Sequence, residues 1–489
     1  MTGFTNLGAL IDRARDPAKP ALIDLSGAAP REVSYAELDA LSNAAARGLL
    51  RRGLRRGDRV GILAANSTEF LAALNGAMRA GLVAVPVNWR FPPATVEYVL
   101  RNSGAALVLT DAARAAAVPE GVPGITFGSA AWDALLDPGD FTPVMPEPAE
   151  PALFLYTSGS TGRPKGVVLS HQSHLWVVEQ RLAGADMARE RVLIAAPLYH
   201  MNGLALAQLA SAAHITVVLL PAFEARSYIR AIGAHRVTWI TGVPPMMAML
   251  LQERETLTAT DTSCVRHVRC GSAPVSPALV AAIRAAFPQA GFVNGYGTTE
   301  AGPVVFGRHP EGIPTPPLSV GYPHPAVELR LNADNVLEQK CPALMNGYWN
   351  RPDLKSPLTP DGFYVTGDVF HRDENGFFTV VGRIDDMFIS GGENIFPSEV
   401  EKVLESHPAV EQSAVIPVPD AIKGTKPVAF VVRRGAVDEA ALKAHALEHA
   451  PAYMHPRRIW FLDALPLMGT NKIDKARLAA LAAERLGAD

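Results

Sequence analysis

Cysteine is scarce. The 489 residues contain three, Cys264, Cys270 and Cys341, too few and too scattered for a disulfide framework or a zinc cluster. That scarcity fits a reducing compartment, and the cytoplasm is the expected location. Net charge is also small: 45 Lys plus Arg against 48 Asp plus Glu, a formal charge of -3. This balance argues against a nucleic-acid partner. The stretch from Met1 to Asp24 lacks a basic segment followed by an apolar one, so a secretion leader is not expected. Long unbroken apolar runs are missing too. The most membrane-like stretch, Gly203 to Phe223, contains Gln208, Ser211 and His214 and is stopped near its end by Pro221. A buried helix followed by a strand over 215–220 is expected there, not a membrane span. Internal repeats and low-complexity tracts are absent.

Apolar residues make up 48% of the chain, enough with this length to bury large cores in two or more domains. Ser34 followed by Glu37 is a capping box that opens a helix running to about Arg52. Strands over 60–64, 82–87 and 106–110 alternate with a helix over 68–79, which predicts layered α/β structure with largely parallel sheets. The basic cluster Arg51, Arg52, Arg55 and Arg56 reads as solvated charge at a helix C-terminus. Residues 118–151, rich in Pro and Gly, read as a connection. Residues 328–348 are turn-rich and predict β structure. After Arg383 the pattern changes. Ser398 and Glu401 suggest a second capping box for a helix to about Glu405. Strands over 411–416, 427–432 and 458–462 and a helix over 438–448 complete a compact α+β unit. The expected division is a large N-terminal domain, 1–383, of layered α/β subdomains plus a β subdomain, and a small C-terminal α+β domain, 384–489.

The chain is organised around Tyr156-Thr157-Ser158-Gly159-Ser160-Thr161-Gly162-Arg163-Pro164-Lys165-Gly166. The apolar run Ala152-Leu153-Phe154-Leu155 before it reads as a buried strand. A strand that ends in Thr, Ser and Gly suits a polyphosphate: glycines let backbone amides approach, hydroxyls donate, and Lys165 adds a charge. The spacing is not that of a Walker A loop, because Gly166 follows Lys165 where Ser or Thr would be required.

Further stretches follow in order: Gly271-Ser272-Ala273-Pro274, Gly295-Tyr296-Gly297-Thr298-Thr299-Glu300, Tyr364-Val365-Thr366-Gly367-Asp368, Gly382-Arg383-Ile384-Asp385-Asp386, Ser390-Gly391-Gly392-Glu393-Asn394, and Lys472 near the end. Together with the loop at 156–166, they resemble the adenylate-forming superfamily over nearly the whole chain. That superfamily includes acyl- and aryl-CoA synthetases, firefly luciferase and nonribosomal adenylation domains. The resemblance implies the acetyl-CoA synthetase-like or luciferase-like fold with a mobile C-terminal domain. It also implies ATP, Mg²⁺ and coenzyme A as cofactor and co-substrates.

By the same resemblance, Thr157, Ser158, Gly159, Ser160, Thr161, Gly162 and Lys165 hold the β- and γ-phosphates. Glu300, with Thr157, is the Mg²⁺ site, since Mg²⁺ needs only one or two carboxylates beside phosphate oxygens and water. Gly271, Ser272, Ala273 and Pro274 run along the adenine and acyl pocket. Tyr296, with Gly297 and Thr298, offers a face for adenine, and Thr299 a hydroxyl for the α-phosphate. Asp368 binds the ribose and Arg383 supports it. Lys472 is the catalytic cation that counters repulsion between carboxylate and α-phosphate. The preceding Asn471 stands where the family usually has Gly, as in some aryl-CoA ligases such as the 4-chlorobenzoate enzyme, and Asn tolerates the same left-handed backbone. Lys475 reads as solvated. Asp385 is the hinge, and Gly391 and Gly392 flank a tunnel for the CoA thiol in the second half-reaction. His200 matches a position near the acyl pocket that gates the thiol path. Two departures stand out. Leu337-Glu338-Gln339-Lys340-Cys341 replaces a Gly-Glu-Leu type of motif, and Lys423-Gly424 stands where many members have Trp-Gly, which removes a contact to CoA.

The implied function is ATP-dependent carboxylate–CoA ligation through an acyl-adenylate. Met201, Leu204, Val243, Met246 and Gly271 suggest an apolar pocket, hence a fatty or aromatic acid. Delivery of the acyl group to a carrier-protein phosphopantetheine is the nearest rival. A luciferase-like oxygenase and a nucleotide-sensing scaffold are the others, and the joint presence of Lys165, Glu300, Asp368 and Lys472 weighs against the last. A homodimer and acetylation of Lys472, read as lying on an exposed loop, complete the expectations.

Overall fold

The structure is a computed structural model that describes residues 3–157, 163–183, 186–420, 422–469 and 471–488. Two seven-stranded sheets form the bulk of the N-terminal part. In one, the strands Gly291–Gly295, His267–Gly271, Trp239–Gly242, Arg191–Ile194, Thr216–Leu219 and Pro20–Asp24 run parallel, and Arg31–Ser34 closes the edge antiparallel. The other pairs Tyr348–Trp349 antiparallel with Lys165–Ser170, which in turn is antiparallel to Pro151–Thr157. It continues in parallel through Val83–Pro86, Arg59–Leu63, Ala105–Thr110 and Gly124–Thr126. One apolar core joins the two sheets: Val60 and Ile62 from one and Val192 and Ile194 from the other pack with Phe70, Leu74 and Leu204 from intervening helices. The expected alternation and parallel pairing are therefore present, and 118–151 contains a short strand, Gly124–Thr126, and a helix, Ala130–Leu135.

The helix Tyr35–Arg51 opens with the expected reciprocal capping box between Ser34 and Glu37. The helix Thr68–Arg79 matches its expected span, and Gly203 to Phe223 resolves into the helix Met201–Ala213 and the strand Thr216–Leu219. Among the described residues, no helix is long and apolar enough to cross a membrane. A four-stranded antiparallel sheet, Glu328–Leu331, Val336–Lys340, Tyr364–Arg372 and Phe378–Arg383, leads to the C-terminal part.

There the long hairpin Val410–Asp420 and Gly424–Arg433 is extended along its second strand only: Phe388–Ser390, itself paired with Glu393–Ile395, meets Gly424 antiparallel, and Ile459–Leu462 pairs in parallel with 429–432. Helices Pro397–Glu405, Glu439–His449 and Lys475–Ala488 complete the unit. One expectation fails in detail. The helix Pro397–Glu405 has Phe396 at its N-cap and no side-chain cap. Ser398 instead donates to the Val381 carbonyl, and the Glu401 carboxylate accepts the Val415 N–H at 2.9 Å. Tertiary partners took the side chains that the local motif would have used.

Candidate active site

A cleft of about 1100 Å³ lies between the two parts and is lined by both. One wall of the cleft is built on a pair of antiparallel strands. Thr157 closes the strand Pro151–Thr157 and pairs with Lys165, the first residue of the returning strand. Both side chains line the cleft. Ser158, Gly159, Ser160, Thr161 and Gly162, which carry the expected phosphate contacts, lie outside the described residues.

Lys165 Nζ sits 4.9 Å from the centroid of the Tyr348 ring, a cation–π contact. Tyr348 Oη in turn donates to Glu300 Oε1 at 3.1 Å. Tyr348 is held there because Tyr348–Trp349 pairs with the lysine's own strand, Tyr348 opposite Val167. Sequence reasoning assigned Tyr348 no role, although Gly347-Tyr348-Trp349 was the signal.

Asp368 is held by two side chains. Tyr296 Oη donates to its Oδ2 at 2.6 Å and Arg383 Nη1 to its Oδ1 at 3.0 Å, Arg383 being its register partner across the sheet. Burial raises its pKa, opposed by Arg383, Tyr296 and Lys472. Tyr296 itself packs edge-on against Phe370 and Phe306, with centroids 5.1 and 5.9 Å away. Burial keeps its phenol protonated, so it serves as a donor.

Lys472 reaches the same cleft from the tail. Burial lowers its pKa, Asp368 and Glu300 pull it up, and Arg383 pushes it down. Its turn is built by Asn471 in the left-handed region (φ 58°), with Asn471 N–H bonded to the Met468 carbonyl and Met468 N–H to the Lys472 carbonyl. The expected backbone role of Asn471 is therefore present. Its side chain adds an anchor, accepting from Arg90 Nη1 at 3.1 Å. One expectation needs correction. Lys472 does not lie on an exposed loop: it faces the cleft. Lys475 is partly exposed to solvent at the start of its helix, as expected, and forms a surface ion pair with Asp386 at 2.9 Å.

Gly271, Ser272, Ala273, Pro274, Tyr296, Gly297, Thr298 and Thr299 all line the cleft. His200 lines it too, with its ring beside Tyr199. Burial, aided by Lys472 and Arg90, pushes its pKa down to about 3, so the ring is neutral at ordinary pH. Asp385 lines the cleft and accepts from Arg383. Gly391 and Gly392 are exposed and away from it. At the acyl end, Met201, Val243 and Met246 line the cleft as expected, but Leu204 is fully buried in the core behind it. Two residues there escaped the sequence reading, Arg181 and Arg269. The available signal was a cation, Arg269, between Val268 and Cys270 in a buried strand.

The chain matches the AMP-binding enzyme family over residues 12–349 and the AMP-binding enzyme C-terminal domain over residues 399–472. A feruloyl-CoA synthase of Amycolatopsis sp. is 35% identical over 462 residues, 91% of this chain and 93% of that protein. The fatty acid–[acyl-carrier-protein] ligase ScoC of Streptomyces coeruleorubidus is 33% identical over 491 residues, 95% and 93% of the two chains. Among solved structures, ATP-bound MatB from Rhodopseudomonas palustris superposes with a TM-score of 0.87 at 29% identity, over 98% of both chains. The chain belongs to the AMP-binding enzyme family. Within it, the protein is an acid–thiol ligase of the AMP-forming kind.

Proposed function

We propose that the enzyme joins a fatty or aromatic carboxylic acid to coenzyme A in two half-reactions at this one cleft. A carboxylate oxygen attacks the α-phosphorus of ATP, pyrophosphate leaves, and an acyl-adenylate forms. The CoA thiol then attacks the acyl carbon and AMP leaves. The observation that carries this reading is the Lys472 ammonium, half-buried in the wall of the cleft that Asp368 and Glu300 also line. A cation fixed there offsets the repulsion between two anions that must approach each other.

In this reading Thr157, Lys165 and residues 158–162 hold the β- and γ-phosphates, Asp368 and Arg383 the ribose, and Tyr296 and 271–274 the adenine side. Glu300 fits Mg²⁺: its Oε1 takes the Tyr348 hydroxyl, and no donated bond to Oε2 occurs among the described residues. No cluster of three metal-binding side chains exists among those residues, which suits an ion ligated mainly by triphosphate and water. When bound, the ion would neutralise phosphate charge. The boundary between domains falls after Arg383, where the four-stranded sheet ends, and Asp385 is the hinge that later brings Gly391 and Gly392 to the thiol path. Acetylation of Lys472 would abolish its charge and requires that loop to leave the cleft. Three unpaired thiols support a cytoplasmic location. A homodimer is a further proposal, read by sedimentation velocity.

The test is acid-dependent pyrophosphate exchange with Mg-ATP, followed by AMP release with either CoA or a phosphopantetheinylated carrier protein. Exchange with a fatty or aromatic acid and release with CoA are expected. Release with the carrier alone would move the reading to a carrier-protein ligase, the acceptor named for ScoC.

A further inference from the structure

The acyl end of the cleft contains two cations and no anion to match them. Arg269 lies on the strand His267–Gly271, two residues before the loop that lines the adenine and acyl pocket. Strand alternation sends Val268 and Cys270 into the apolar core on one side of the sheet and Arg269 to the other, toward the cleft. Its guanidinium lies on the bare backbone of Gly295. A Cβ added there would come within 2.5 Å of Arg269 Nε and 3.0 Å of Cζ. Gly295 thus makes room for that group. Arg181, in the last turn of the helix His171–Leu182, reaches the same end, its Cζ 5.9 Å from the centroid of the Trp239 ring.

Among the described residues, neither guanidinium has a side-chain hydrogen bond or an ion pair. Both are shifted downward in pKa by desolvation, Arg181 to about 9 with a further push from Arg269, and no acidic group opposes either shift. Elsewhere in the cleft the pattern is opposite, since Arg383 is paired with Asp368 and Lys475 with Asp386. Two desolvated like charges side by side are costly unless something anionic arrives between them.

We infer that Arg181 and Arg269 form a subsite for a second anionic group on the acid substrate, a carboxylate or sulfonate borne at the end remote from the carboxyl that is activated. Guanidinium groups suit this use because their planar donor fork matches such an anion. The apolar side chains Met201, Val243 and Met246 cover the connecting carbon skeleton. The inference rests on the carboxylate-activating reading above and narrows its substrate class from plain fatty or aromatic acids to doubly acidic ones.

Pyrophosphate exchange would be measured for dicarboxylates of three to ten carbons, each against the monocarboxylate of equal length. Terephthalate and 4-sulfobenzoate would be compared with 4-methylbenzoate. At least one doubly charged acid is expected to exceed its methyl-ended counterpart by about tenfold or more in kcat/KM, expressed mainly in KM. Terephthalate ahead of 4-sulfobenzoate identifies a carboxylate as the preferred group, and the reverse order a sulfonate. Arg269→Met and Arg181→Met should each reduce that preference while leaving the KM for ATP unchanged and Tm unchanged or higher, because an unpaired buried charge is removed. A purely structural arginine would instead lower Tm and depress all acids alike, which would overturn the inference. So would the methyl-ended acid prevailing in every pair, in which case the ligase reading stands. Only a failure of every acid to support exchange would remove both.

Discussion

Two loops of the C-terminal part both turn on left-handed backbone, yet they face opposite surroundings. At 466–473, Asn471 (φ 58°) is 6% exposed, bonded to Arg90, and its neighbour Gly469 is pressed against Arg90 and Asn88. At 390–394, Gly391 (φ 61°) and Gly392 (φ 92°) are exposed, with Gly391 N–H resting on the Lys423 carbonyl. Asn meets the backbone requirement and also anchors the turn through its side chain. Gly meets it and leaves a bare strip of backbone. The residue choice separates a loop anchored against the other part from one that leaves its backbone open. In the arrangement seen, Lys472 faces the cleft and Gly391 and Gly392 do not line it.

The sharpest way to break this contrast is Lys472→Ala. Acid-dependent pyrophosphate exchange should fall by about 10²–10³-fold, while thioester formation from preformed acyl-adenylate stays nearly intact. Equal loss in both steps would contradict the division of labour. Asp385→Pro comes next: fixing φ at the hinge should reduce CoA-dependent AMP release about tenfold and exchange much less. Asn471→Val then tests the anchor. A β-branched residue in the left-handed region that also loses the Arg90 bond should weaken docking by about 1 kcal/mol or more, seen as roughly fivefold slower exchange. Asn471→Gly should restore most of it, and failure to do so would assign the loss to the hydrogen bond alone.

The smallest effect is a pH dependence of docking. Burial raises Glu405 to about 7, while Ser276, on the other part, and Ser413 favour its ionised form. A carboxyl raised on docking is docked without penalty below its ordinary value of 4.5, where it is protonated in both states. Docking weakens as pH climbs through about 7 and the buried group must ionise. Limited proteolysis near Asp385 should therefore quicken between those limits, and Glu405→Gln should flatten the profile.

What was legible in the sequence was what neighbours in the chain decide. The capping box at Ser34 and Glu37, the helix over 68–79 and the alternation of parallel strands are local patterns, and they appear in place. Thr157 and Arg383 each end a strand, and Asp368, in the middle of Tyr364–Arg372, faces Arg383 in register. What was not legible depends on partners distant in the chain. Ser398 and Glu401 carry a capping pattern but answer to Val381 and Val415. Tyr348 matters through Lys165 and Glu300, and Arg181 meets Arg269 only once helix and strand pack.

The alternation that turns Arg269 to the cleft also turns Cys270 away from it, into the core, where burial pushes its thiol up to about 12. Cys264 and Cys341 are likewise not in the cleft wall. A mixed anhydride formed in that space meets no cysteine thiol among the described lining residues. An incoming thiol therefore meets no competing cysteine of the protein in the described wall of the cleft.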